Sequence, residues 1–145
     1  MKKTIALFGG TGRTGQHVVK QGLAKGYKIK TLARNPDKLT IANQNLEIIQ
    51  GDVHDAPVVE KVVEGSDVVI NVVGHTKNSA KDVQTVATEN IIKAMKKHGI
   101  SRIISLSGAG LDSPKDINHF GRKMVKFAMK LLAKDILKDA ESHYE

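Results

Sequence analysis

The residues best placed to bind a charged ligand form a glycine-rich loop between a predicted strand and a predicted helix. This loop runs Gly9, Gly10, Thr11, Gly12, Arg13, Thr14 and Gly15. Gly9 permits a tight turn, Gly12 lets a ligand approach the backbone, and Gly15 permits close packing of the helix on the strand. Because amides at a helix N-terminus attract anions, the loop is predicted to hold a pyrophosphate.

A P-loop is the competing phosphate site, since Gly10 and Gly15 have its glycine spacing. Gln16 and His17 stand where a P-loop requires Lys and then Ser or Thr. Hydrolysis of nucleoside triphosphates is therefore disfavoured. A merely tight turn is the remaining alternative.

A second basic site lies about 20 residues beyond the glycine loop, where dinucleotide-binding proteins contact the adenosine ribose. The second predicted strand ends there in Arg34, followed by Lys38. A guanidinium matches a 2′-phosphate, whereas a carboxylate would bind a 2′-hydroxyl, and Arg13 can add further charge. The sequence thus favours NADP(H) over NAD(H). A surface arginine with no ligand is the alternative.

These residues need a scaffold of alternating strands and helices. Short apolar runs predict strands, and segments of helical spacing predict helices. The strands are Thr4 to Phe8, Lys28 to Ala33, Leu46 to Ile49, Asp67 to Val73 and Arg102 to Leu106; the helices are Gln16 to Lys25, Ala56 to Val63 and Asp82 to His98. This order predicts a single α/β domain over residues 1–145: a Rossmann-type, doubly wound parallel sheet of order 3-2-1-4-5 with helices on both faces. Ligands then bind at the carboxyl ends of the strands.

Composition restricts the classes of partner. The chain has no cysteine, 3% aromatic residues and a formal charge of +8. The missing cysteines remove thiolate metal sites, and no histidine spacing supports another metal site, so no metal is expected. Few aromatics disfavour single-stranded nucleic acid. No apolar run approaches a membrane span or a signal peptide, so we expect a cytoplasmic protein.

A long amphipathic helix with a basic row is predicted over Ile117 to Leu137. Its basic face is interpreted as a solvated surface. A substrate lid, a subunit contact or a membrane-surface helix are the alternatives. Both a monomer and a homodimer are compatible with the sequence.

Several segments together resemble the atypical short-chain dehydrogenase/reductase superfamily, in particular NmrA-like proteins and biliverdin-IXβ reductase-like flavin reductases. The resemblance rests on the whole glycine loop, Arg34 with Lys38, Gly51-Asp52-Val53, Asn71-Val72-Val73-Gly74, Asn90 to Met95 and Ser105-Leu106-Ser107. Relatives usually continue past Tyr144. The resemblance therefore implies that this chain lacks the C-terminal part that forms the substrate pocket.

The resemblance also implies roles for individual residues. Asp52 and Val53 would contact the adenine, with Asp52 accepting a hydrogen bond from its amino group, and Val73 and Gly74 would lie beneath the adenosine ribose. Ser107 would lie beside the nicotinamide and is the one candidate catalytic residue. The alternative for Asp52 is a cap of the following helix, for which Asp55 is better placed. The alternative for Ser107 is a strand-end hydroxyl that satisfies backbone groups.

Three functions follow from this resemblance. The Tyr-x-x-x-Lys pair of the classical enzymes is missing, which disfavours alcohol oxidation through a tyrosinate. An NADPH-dependent reductase passing hydride to a flat acceptor, such as a flavin or quinone, comes first. A non-catalytic NADP(H) sensor comes second, and a nucleotide-sugar epimerase or dehydratase third. His75 and His119 are candidate proton donors.

Overall fold

A five-stranded parallel sheet forms the centre of the computed structural model, which describes residues 2–76 and 79–106. In chain order the elements are β1 (Thr4–Phe8), α1 (Arg13–Ala24), β2 (Lys28–Ala33), β3 (Leu46–Gln50), α2 (Ala56–Val63), β4 (Val68–Asn71), α3 (Val83–His98) and β5 (Ile103–Ser105). The strand order is β3-β2-β1-β4-β5. The predicted Rossmann-type topology is confirmed.

Helices cover both faces of the sheet, and the alternation of side chains along β1 shows why. Ile5 and Leu7 pack with residues of α1 on one face. Ala6 and Phe8 pack with residues of α2 and α3 on the other. Because successive strand residues point to opposite faces, a strand covered on both sides must be apolar throughout. The continuous apolar runs in the sequence have this cause.

Helix ends agree with the local signals in the sequence. Asp55 is the N-cap of α2, and its side chain accepts a hydrogen bond from the Val58 amide at 3.4 Å. Gly99 ends α3 in the left-handed conformation at φ +68°. These residues stop the helices at the point where the chain must turn back toward the sheet.

Two boundaries differ by more than one residue from those predicted. Helix α1 begins at Arg13 instead of Gln16, because the end of the glycine loop already forms its first turn. Strand β4 ends at Asn71 instead of Val73, because the Asn71 side chain accepts the Val73 amide hydrogen bond at 3.1 Å. Between β2 and β3 the only helical element is a single 3-10 turn, Pro36–Lys38.

Several predicted features lie outside the described residues: Ser107, His119, Tyr144 and the basic helix Ile117 to Leu137. Within residues 2–76 and 79–106, none of the helices is long and apolar enough to cross a membrane. In the same part of the chain, no three side chains of His, Asp or Glu come together as a metal site would require.

Candidate functional site

A cleft of about 360 Å³ opens at the carboxyl ends of the central strands. The loops after β1, β2, β3 and β4 bring most of the predicted cofactor-binding residues into its lining: Gly9, Thr11, Gly12, Arg34, Lys38, Asp52, Val53, Val73 and Gly74. This volume lies within the range of small-molecule sites. Residues that are far apart in the sequence therefore meet at the edge of the sheet where a ligand is expected.

The remaining residues of the glycine loop lie beside the cleft and are not part of its lining. Gly10 and Gly15 are buried, whereas Arg13 and Thr14 are exposed in the first turn of α1. A Cβ on Gly10 would clash with the Thr31 hydroxyl, so this glycine permits packing of the loop on β2. Their direct contact with a cofactor stays a prediction.

Gly9 and Gly15 hold the loop in a shape that a side chain would destroy. Gly9 has φ +84°, and a Cβ there would lie 2.7 Å from the Val72 carbonyl oxygen. A Cβ on Gly15 would clash with the Gly9 carbonyl oxygen. Both glycines therefore permit close approach of backbone to backbone, which agrees with the predicted roles of a turn and of helix packing.

Gly12 differs from these two glycines because it has space around it. It is the N-cap of α1, its φ of −75° suits any residue, and its amide donates to the Gly9 carbonyl at 3.0 Å. A Cβ there would have the Gly9 oxygen at 3.3 Å as its one neighbour within 4 Å among the described atoms. A side chain at Gly12 would therefore extend into the cleft.

The N-terminus of α1 is suited to an anion. Its first turn contains no acidic side chain, and the N-cap makes no side-chain hydrogen bond. The first amides of a helix have no partner within the helix and carry its positive dipole end. The cradle formed by Gly9, Gly12 and Gly15 thus fits the pyrophosphate of a dinucleotide, in a space that a Cβ at Gly12 would fill.

Two cations lie at the end of β2. The Arg34 side chain is half exposed, and its Nε lies 3.9 Å from the Asp52 carboxylate. The Asn35 side chain accepts the Asp37 amide at 3.1 Å and so begins the 3-10 turn that carries Lys38 to the cleft. A phosphate between Arg34 and Lys38 would be neutralised from two directions.

Asp52 is held by the residue two positions later. One carboxylate oxygen, Oδ1, accepts the His54 amide at 2.9 Å and lies 2.5 Å from the His54 ring Nδ1. Partial burial acts to raise the pKa of Asp52, but the hydrogen bonds from His54 and the charge of Arg34 outweigh it and lower this pKa from 3.8. The other oxygen, Oδ2, faces Arg34. Asp52 is therefore an ionised acceptor, and the alternative that it caps α2 is wrong because Asp55 does so.

The backbone of Val73 is clamped from both sides. Its amide donates to the side chain of Asn71, and its carbonyl accepts from the side chain of Gln84 at 3.1 Å. Asn71 is 2% exposed, and Thr88 packs beside it and donates to the Gln84 carbonyl at 2.8 Å. This network holds the loop that lies against Gly9.

Helix α3 also fixes the loop after β3. The Asn90 side chain donates to the Val53 carbonyl at 2.8 Å. Sequence reasoning identified Asn90 only as part of a resembling segment and missed Gln84, Thr88 and His54 as site residues. For Gln84 and Thr88 the available signal was a polar side chain beside the buried face of α3. For His54 it was the short separation from Asp52. His75, a predicted proton donor, lies half-buried after Gly74 and is not in the cleft lining.

A family model described as NAD(P)H-binding matches residues 9–144, which include every loop of the cleft. The chain belongs to the NAD(P)H-binding family. The resemblance to short-chain dehydrogenase/reductase and NmrA-like proteins is thereby confirmed, and the glycine loop and the cleft that it borders belong to a domain that binds NAD(P)H.

A curated relative covers much of this chain but is itself much longer. The chain is 28% identical, over 97% of its length, to the chloroplastic divinyl chlorophyllide a 8-vinyl-reductase of Arabidopsis thaliana. The match covers 36% of that protein. The present chain therefore spans well under half the length of this relative.

Two solved structures show the same fold. A short-chain dehydrogenase/reductase from Veillonella parvula in complex with NADP superposes with a TM-score of 0.77 at 20% identity, covering 99% of this chain and 63% of that one. ChuY, an anaerobillin reductase from Escherichia coli O157:H7, gives a TM-score of 0.71 at 20% identity, covering 96% and 64%. At these identities the likeness establishes the fold alone.

Proposed function

We propose that this protein binds NADPH in the cleft and acts as a reductase on a flat acceptor such as a flavin or quinone. The observation that carries the proposal is the pairing of a glycine cradle at the start of α1 with two cations, Arg34 and Lys38, at the end of β2. This arrangement supplies separate sites for a pyrophosphate and for a 2′-phosphate.

Each loop of the cleft then binds one part of the cofactor. The amides after Gly12 bind the pyrophosphate, and Arg34 with Lys38 binds the 2′-phosphate. Asp52 accepts a hydrogen bond from the adenine amino group through its Oδ2, since Oδ1 is occupied by His54. Val73, clamped by Asn71 and Gln84, forms a rigid floor beneath the ribose.

The reductase assignment rests on sequence and on the relatives. NADPH supplies a hydride from its nicotinamide when it is bound. Residues 1–145 contain no Tyr-x-x-x-Lys pair, so in this proposal they bind and orient the reactants, and protons come from solvent. Ser107 is proposed to hydrogen-bond the nicotinamide side. The curated relative from Arabidopsis thaliana and ChuY are themselves named as reductases.

The first test is NADPH oxidation by the purified chain, with FMN and then menadione as acceptor. Turnover above that of a Gly12→Val control is expected. Tight NADPH binding without turnover on either acceptor would reject the reductase and favour the second function, a non-catalytic NADP(H) sensor.

The second test concerns the choice of cofactor. Arg34→Glu places a carboxylate against the 2′-phosphate, and Arg34→Gln is the matched neutral variant. Losing a charge-assisted hydrogen bond costs about 1.5–3 kcal/mol, so the NADPH/NADH affinity ratio should fall about 10- to 100-fold in Arg34→Gln and further in Arg34→Glu. An unchanged ratio in both variants would remove Arg34 from the phosphate site.

A further inference from the structure

The histidine that holds Asp52 also reaches a second carboxylate on a different element. His54 Nδ1 lies 2.5 Å from Asp52 Oδ1, and Nε2 lies 3.5 Å from Asp82 Oδ1. Asp52 follows β3, whereas Asp82 stands at the start of α3. The imidazole ring therefore lies between two acidic groups, one from each of two separate loops.

Asp82 occupies a position at which an aspartate usually serves its own helix. It is the N-cap of α3, yet its φ of −102° and ψ of 14° are not those of a regular cap, and its side chain makes no capping hydrogen bond. An N-cap aspartate normally accepts a hydrogen bond from the second or third helical amide. Here the carboxylate faces His54 instead.

The protonation state of the ring decides whether both contacts are attractive. A neutral imidazole carries one N–H, so one of its two nitrogens would present a lone pair to a carboxylate. An imidazolium carries two N–H groups and can donate to both aspartates. Proton uptake by His54 thus converts a single hydrogen bond into a bridge between the loop after β3 and the start of α3.

This bridge spans the wall of the cleft. Asp52 and Val53, which line the cleft, adjoin His54, and Val83, which also lines it, adjoins Asp82. We propose that His54 is a positioning residue whose protonated ring ties these two segments together, orders the adenosine end of the cleft and so strengthens binding of the nucleotide. This inference rests on the proposed cofactor site.

The charged groups around His54 favour its protonated form. The hydrogen bond to Asp52 raises the pKa of His54 above 6.5, and Asp82 adds to this increase against the opposing effect of burial. Arg34 faces the other oxygen of Asp52. The bridge is complete below pH 6.5 and is lost as the pH rises through the higher pKa of folded His54. On the acid side it is lost as the pH falls through the lowered pKa of Asp52, below 3.8.

The test is the affinity for NADP⁺ between pH 5.5 and 8.5, measured by calorimetry for the wild type and for His54→Gln. The 2′-phosphate itself titrates in this range, so the informative quantity is the ratio of the two affinities at each pH. Because the ring is partly exposed, wild type should bind about two- to fivefold more tightly at pH 5.5, and the advantage should shrink toward pH 8.5.

Two further variants distinguish the proposed bridge through His54 from a purely structural role of this residue. Asp82→Asn retains the shape of the side chain and should lose the same pH-dependent advantage. His98→Gln removes a histidine that pairs with Glu60 on α2, outside the cleft, and should leave the wild-type profile unchanged. Parallel profiles for wild type, His54→Gln and Asp82→Asn would overturn the role of His54.

A measurement without cofactor completes the design. An NMR titration of the His54 ring in the free protein should give a pKa above 6.5 that falls in Asp82→Asn. An unchanged pKa would refute the contact with Asp82. Failure of the wild type to bind NADP⁺ at any pH would instead refute the proposed cofactor site, so the two failures are distinguishable.

Discussion

Replacing Gly12 with valine should strongly weaken cofactor binding while leaving the fold intact. The backbone at this position is extended, so valine adopts it without strain. The Gly9 oxygen, 3.3 Å from the added Cβ, need only shift by a few tenths of an ångström. The two methyl groups then enter the space in front of the first turn of α1, where the pyrophosphate is proposed to bind.

The magnitude follows from the contacts that are lost. Displacing a phosphate from one or more amides removes charge-assisted hydrogen bonds worth about 1.5–3 kcal/mol each. The affinity for NADPH and NADH alike should therefore fall at least about 10- to 100-fold. The free energy of unfolding should change by less than about 1 kcal/mol, because valine is a poorer N-cap but restricts the unfolded chain.

The assay pairs NADPH fluorescence titration with urea denaturation, and Gly15→Ala is the contrasting variant. A Cβ on Gly15 would clash with backbone of the loop itself, so Gly15→Ala should lower the free energy of unfolding by about 1–3 kcal/mol. Near-wild-type NADPH affinity in a folded Gly12→Val protein would refute the location of the pyrophosphate. A strongly destabilised Gly12→Val protein would show that the space around Gly12 does not accommodate a side chain.

Two other variants test the supports of the site and the fold. Gln84→Ala removes the hydrogen bond to the Val73 carbonyl. Loss of one hydrogen bond should weaken NADPH binding about 2- to 10-fold in a titration. An unchanged affinity would argue against a role of Gln84 in holding Val73. Lys30→Met removes an ammonium that donates to the Lys61 and Glu64 carbonyls at the end of α2, at 2.6 and 2.8 Å. The urea midpoint should fall by the equivalent of about 0.5–1.5 kcal/mol, and an unchanged midpoint would show that these contacts contribute nothing.

The sheet order and the position of the cleft could be predicted because their causes are local in the sequence. Apolar runs such as Thr4 to Phe8 mark strands covered on both faces, and glycines follow the first strand directly. The connection between β2 and β3 was harder to predict. It has no segment of helical periodicity, and its helical element is the single 3-10 turn that begins at Pro36. The early start of α1 was not predicted because its first turn contains Gly15, and glycine has a low helix propensity.

The side-chain network could not be predicted, because it depends on contacts between distant segments. Gln84 reaches Val73, and His54 reaches Asp82, only after α3 has packed against the sheet. The separation of the two residues in the sequence does not indicate a contact for either pair. For His54 the visible signal was its short separation from Asp52, which indicates a local turn as readily as a site.

Equilibrium titration of the wild-type chain with NADPH and with NADH under the same conditions tests the proposed cofactor site. We expect one site for each nucleotide, with NADPH bound at least about tenfold more tightly because Arg34 and Lys38 neutralise its 2′-phosphate. Equal affinities would contradict the assignment of these two cations, and absence of binding by either nucleotide would contradict the cleft as the cofactor site.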